Sequence, residues 1–195
     1  MNYLSVIMVD SQEIWKGFHW SFFINVQALI ICLRRFESSL ALGDIAMAQT
    51  ELEAATDLML ASGASMQLAG SFSRQEYESY VRPTMTPPYV QSQNFSGLMS
   101  WEHATLMQLW KRLSSTFKNM PKELEPVHEK FVAAYFELAK DHKAVCQKFG
   151  GDEGGSLRFE KGTAVDTLDK FEKIRTQHIN PTGKSINRCP FHHGH

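Results

Sequence analysis

The stretch from Gln12 to about Leu42 runs without a proline, with the capping residues Asp10 and Ser11 before it and Gly43 behind it. Aspartate and serine accept hydrogen bonds from the first free N–H groups of a helix, and glycine takes the left-handed turn that ends one, so the stretch predicts one long helix. Asp44 then caps a second helix, Ile45 to about Leu68. Its apolar positions Ile45, Ala48, Leu52, Ala55, Met59, Ser62 and Met66 step by three or four and make one buried face. Across so tight a turn the two helices must pack antiparallel.

The rest of the chain has the same punctuation. Ser73 with Glu76 forms a capping box for a short helix through about Val81, which is expected to end before Pro83 because proline disfavours helical geometry in the preceding residue. Thr84 to Gly97, with Pro87 and Pro88, is longer than a connection needs. Ser100 caps a helix through about Phe117, Pro121 or Pro126 opens a long one ending at Phe149, and Thr163 can cap a last one to about Gln177. Gly150 to Ser156 holds four glycines in seven residues and reads as an adaptable loop. No strand pattern, repeat or dividing linker is present. The expected architecture is all-α: a single-domain bundle of about five to six helices over 1–179, with an irregular tail over 180–195.

A chain of 195 residues suffices for one domain that buries roughly 70% of its unfolded surface. A formal net charge of -1 argues against a polyanion partner, so no nucleic acid is expected. The apolar run Phe22 to Leu33 is broken by Asn25 and Gln27 and is shorter than the roughly 20 residues a bilayer span requires, so no membrane is expected either. The N-terminus has no basic region ahead of its apolar stretch, which predicts a cytoplasmic protein. Cys32, Cys146 and Cys189 are odd in number and widely spaced, as befits reduced thiols.

Chemistry must come from the eight histidines. A carboxylate di-iron site needs two Glu-x-x-His pairs, and Glu125 to His128 is the one pair present, beside Pro126 at a helix start where exposure is expected. His142 and Cys146, four apart, share a helix face. They could be half of a zinc site completed by Cys189, His192, His193 and His195, or a small buried cysteine beside a helix-terminal histidine. Arg82 is either a bidentate grip for a carboxylate or an ordinary surface arginine. The glycine segment lacks phosphate-loop spacing, and no Gly-x-Ser-x-Gly turn occurs.

Three blocks in order resemble the tryptophan 2,3-dioxygenase and indoleamine dioxygenase superfamily. They are Phe18-His19-Trp20-Ser21-Phe22-Phe23; Tyr77 through Arg82-Pro83 to Asn94-Phe95-Ser96-Gly97; and Asp141-His142-Lys143-Ala144-Val145-Cys146 followed by Phe149 to Arg158. The helix ending Ile174-Arg175-Thr176 matches in kind. The resemblance implies haem b whose iron is bound by His142, within a pocket built from Trp20, Phe23, Leu29 and Cys146. It implies His19 as the catalytic residue on the distal side, and substrate contacts from Arg82, Tyr80, Gly97, Gly155 and Ser156. It further implies an oxygenase that inserts oxygen from O2 into an indole- or phenol-type, amino-acid-derived molecule, working as a homodimer or homotetramer. A non-catalytic helical haem- or ligand-binding protein is the alternative. The chain departs from the pattern in its shortness, in a shifted Phe-Arg pair, and in a glycine loop without the threonine that holds the tryptophan ammonium, which counts against L-tryptophan as substrate.

Overall fold

The computed structural model describes residues 10–90, 100–150 and 164–186. Six α-helices and no strands are found among these residues: α1 (Ser11–Ala41), α2 (Ile45–Ala69), α3 (Arg74–Glu76), α4 (Trp101–Lys118), α5 (Glu125–Gly150) and α6 (Ala164–Ile179). They form one all-α domain around a single main core.

The caps act as their chemistry dictates. Asp10 accepts from the Gln12 N–H, Asp44 from Met47 and Ser100 from His103. Gly43, at φ 74°, makes the left-handed turn that folds α2 back along α1. The buried face of α2 is the expected stripe, with Ala48, Leu52, Ala55, Met59, Ser62 and Met66 all turned inward. Leu33 and Phe36 of α1, Leu113 of α4, and Phe131 and Val132 of α5 complete a core with no exposed surface at these positions. A second apolar cluster gathers Phe72, Tyr77, Val81 and Phe149, and Trp15 of α1 packs against it.

Two expectations need correction. Helical winding does not stop before Pro83: after the capping box at Ser73 and Glu76 the chain makes a π turn, Tyr77–Val81, and then a 3₁₀ turn, Arg82–Met85. Pro83 falls in the first positions of that new turn, where a missing N–H breaks no helical bond. His128 is not exposed at the start of α5 but 9% accessible. Its Nε2 donates to the Ile179 carbonyl oxygen at 2.7 Å and its ring stacks on Phe117, because the end of α6 returns across the start of α5.

α5 lies so close to α2 that side chains are limited at the contact. A Cβ on Gly70 would meet Val145 Cγ2 at 2.9 Å. Gln67 Nε2 donates to Asp141 Oδ1 at 2.6 Å, joining the same helices one residue before His142. Lys143, one residue after it, ion-pairs with Asp169 and with Glu172 of α6, the latter at 2.6 Å. α1 is long and apolar enough to cross a membrane by length and composition. In the fold, its Val26, Leu29, Ile30 and Leu33 are buried in the core, while Trp20, Ile24 and Ile31 remain exposed.

Candidate functional site

Where α1, α2, α4, α5 and α6 converge they leave a largely apolar cavity of about 450 Å³, within the range of small-molecule and cofactor sites. Two helical stripes make much of its wall. On α4 they are His103, Leu106, Met107 and Trp110; on α5 they are Tyr135, Leu138, Ala139, His142 and Cys146. Steps of three and four put each set on one face. α1 supplies His19, Trp20, Phe22, Phe23 and Leu29, and α6 supplies Arg175.

His142 is strongly desolvated. Burial, and then the charges of Arg175, His19 and His103, push its pKa down to about 4. The uncovered part of its ring lines the cavity, so at neutral pH it presents an uncharged nitrogen there. Cys146, one turn on, is driven the other way: burial lifts its pKa to about 11, which keeps the thiol protonated and a poor metal ligand.

His19 sits across the cavity on α1. Its Nδ1 lies 2.7 Å from the Trp15 carbonyl oxygen, which can only accept, so Nδ1 carries the proton and Nε2 keeps a lone pair. Burial lowers its pKa, partly opposed by that hydrogen bond. His103 is constrained from outside its own helix. Arg175 Nη2 donates to His103 Nε2 at 2.6 Å, and since a guanidinium never accepts, His103 Nε2 is unprotonated.

Two buried donors in the wall lack partners. Trp110 Nε1 and the Tyr135 hydroxyl make no hydrogen bond, although each residue is only 2% exposed and their rings pack edge to face at 5.4 Å. Burial raises the Tyr135 pKa to about 12, with the Arg175 charge opposing, so the phenol stays neutral. An unsatisfied buried donor costs roughly 1–3 kcal/mol, and in a cavity wall such groups await a ligand.

Of the residues singled out by the sequence, the structure brings together His19, Trp20, Phe23, Leu29, His142 and Cys146. Arg82 and Tyr80 are not among them. Tyr77 and Val81 take the buried positions of the π turn, which leaves Tyr80 57% exposed and Arg82 outside, paired with Glu78 through Oε1 at 3.1 Å and Oε2 at 3.2 Å. Gly97, Gly155 and Ser156 lie outside the described residues. His103, Trp110 and Tyr135 were not anticipated, although the His103-Leu106-Met107-Trp110 spacing was a readable signal. In the sequence Arg175 stands out only as part of a matching block.

Among the described residues no group of three or more His, Cys, Asp or Glu could hold a metal ion. A metal that brings its own equatorial ligands needs only an axial one, and a neutral imidazole over an apolar cavity with spare hydrogen-bond donors fits a haem.

Comparison with known proteins bears on the same chemistry. Residues 9–127 match the family model described as SfmD 3-methyl-L-tyrosine peroxygenase. A 3-methyl-L-tyrosine peroxygenase of Streptomyces lavendulae is 30% identical over 176 residues, covering 85% of this chain and 46% of that protein. The chain thus spans about half the length of this curated relative. No solved structure matches. With its matched segment running from the cap of α1 into the first turn of α5, the chain belongs to the SfmD 3-methyl-L-tyrosine peroxygenase family.

Proposed function

We propose that this protein is a haem-dependent oxygenase that transfers oxygen to the ring of a tyrosine-type aromatic molecule, with His142 as the residue that would hold the haem iron. The observation that carries the reading is the uncharged His142 facing an apolar cavity whose wall holds two unpartnered donors, in a chain of this family. Haem would supply activation of the oxidant. The relative's name favours hydrogen peroxide, for which ring hydroxylation balances as ArH + H2O2 giving ArOH + H2O. O2 is the oxidant implied by the dioxygenase resemblance.

The chain's own groups would do the rest. His142 keeps its nitrogen lone pair because desolvation opposes protonation. Phe22, Phe23, Leu29 and Leu106 exclude water from the cavity, which strengthens each polar contact inside it. His19 Nε2 can accept a phenol proton. Trp110 Nε1 and the Tyr135 hydroxyl can donate to a bound ligand. Self-association is part of the proposal, supported by the exposed Trp20, Ile24 and Ile31 on α1.

The test is spectroscopic. Protein made with ample haem precursor is compared with His142→Ala in ferric, ferrous and CO-bound forms, followed by turnover of 3-methyl-L-tyrosine with peroxide and, separately, with O2 and a reductant. A Soret band that shifts on reduction and is lost or altered in the variant supports the ligand assignment. A colourless wild-type protein that takes up no added haemin overturns it. Haem binding without turnover of any phenolic substrate would make the protein a carrier or sensor.

A further inference from the structure

We propose that Trp15 is a positioning residue for His19, its carbonyl oxygen and its indole ring together fixing the imidazole so that Nε2 stays turned to the cavity. The inference rests on the reading of His19 as the acceptor of a phenol proton, and it deepens that reading by giving the second apolar cluster a part in the chemistry.

The main core leaves the stretch of α1 around His19 without a fully buried side chain. Ser11 is buried at the start of the helix, and the next buried residue is Val26. Helix ends fray, and a catalytic group displaced by about 1 Å can lose roughly a hundredfold in rate. The hydrogen bond from His19 Nδ1 to the Trp15 carbonyl oxygen runs within α1, four residues back. It fixes the ring relative to its own helix but does not fix that helix relative to the cavity. A second constraint must come from outside α1.

The indole supplies it. Its ring packs on the His19 imidazole with centroids 4.1 Å apart and a tilt of 40°. Beyond it Phe72, Phe149 and Tyr77 form a stack, Phe149 lying 5.2 Å from Phe72 and 4.4 Å from Tyr77. Trp15 meets Phe72 and Phe149 edge to face, at 6.3 and 6.0 Å, and Tyr77 at 5.5 Å. Aromatic pairs in such geometries favour particular orientations as well as burying area, so the stack holds the indole at an angle. Its rings come from separate places: Phe72 follows α2, Tyr77 opens the π turn and Phe149 lies at the end of α5. That π turn buries Tyr77 and Val81 together, and π turns recur at functional sites. Phe149 stands two helical turns past His142, on the same side of α5. One helix therefore presents His142 to the cavity and, through Trp15, holds the imidazole across from it.

The experiment has a spectroscopic arm that needs no haem. Nitrogen-15 NMR of histidine-labelled, haem-free protein at about pH 8, above the ordinary histidine pKa, reads which ring nitrogen carries the proton, and His19→Gln assigns the signals. Wild type and Trp15→Phe, which keeps a flat ring, are expected to show one neutral tautomer with Nδ1 protonated. Trp15→Leu is expected to populate both tautomers, with circular-dichroism melts confirming its fold. In turnover of 3-methyl-L-tyrosine with peroxide, Trp15→Leu should lower kcat by roughly ten- to hundredfold, far more than it changes KM, and Trp15→Phe should recover most of the loss. A folded Trp15→Leu that keeps the single tautomer overturns the proposal, as does one with wild-type kcat where His19→Gln is impaired. If Trp15→Leu does not fold, Phe149→Leu decides: mixed tautomers support the clamp and the wild-type signal overturns it. Full activity in His19→Gln together with a Trp15-dependent tautomer would overturn the reading of His19 as the proton acceptor and leave the Trp15 contact standing.

Discussion

The Nδ1 of His19 lies 2.7 Å from the carbonyl oxygen of Trp15, one turn earlier on α1, and this bond decides which face of the imidazole meets the cavity. With Nδ1 committed as a donor, Nε2 is an acceptor held at a fixed angle. A group in that state can take a proton from a phenol.

His19→Gln is expected to lower kcat by roughly a hundred- to ten-thousandfold, the range of a lost general base, with the Soret spectrum unchanged. Steady-state turnover of 3-methyl-L-tyrosine beside the ferric spectrum checks both parts. Full activity in the variant would remove His19 from the chemistry.

Tyr135→Phe is expected to leave the ligand-free protein as stable as wild type or more stable by up to about 1 kcal/mol, because the deleted hydroxyl makes no hydrogen bond. The same change is expected to weaken ligand binding by roughly tenfold as a donor is lost from the pocket. Urea unfolding and a binding titration on one preparation separate the two effects.

Gly70→Ala is expected to destabilise the fold by about 1–2 kcal/mol. Its new Cβ would stand 2.9 Å from Cγ2 and 3.3 Å from Cγ1 of Val145, a β-branched side chain with little rotameric freedom. The smaller entropy of the unfolded alanine chain offsets only part of this. Pairing Gly70→Ala with Val145→Ala and measuring denaturant midpoints should restore more than half the loss, and an additive double variant would refute the close contact.

His128 carries a pH signature. Burial lowers its pKa, opposed by the hydrogen bond to Ile179, so the folded protein holds fewer protons here than the unfolded chain. Its contribution is fully present above the unfolded value of about 6.5 and is lost as pH falls from there toward the lower folded pKa. Melting temperatures of haem-free wild type and His128→Gln between pH 8 and pH 5 should diverge in slope, the variant being the less acid-sensitive. Parallel curves would show that His128 does not titrate on unfolding.

Much of the architecture was legible because it is local. Asp10, Gly43, Asp44, Ser73 with Glu76, and Ser100 each act on N–H or carbonyl groups within four residues, so the helix starts and the α1–α2 turn follow from the chain itself. The His142 and Cys146 face was readable for the same reason, as steps of three and four fix which side chains share a side.

Periodicity does not say which faces meet. That Arg175 of α6 reaches His103 of α4, that His128 lies beneath the end of α6, and that Arg82 turns outward to Glu78 depend on helix packing between residues distant in sequence. The sequence by itself determined six stretches of helix and the side chains available to them. Only the tertiary structure decided that an imidazole at position 142 would be desolvated enough to stay neutral, because burial is a property of the assembled wall rather than of any one helix.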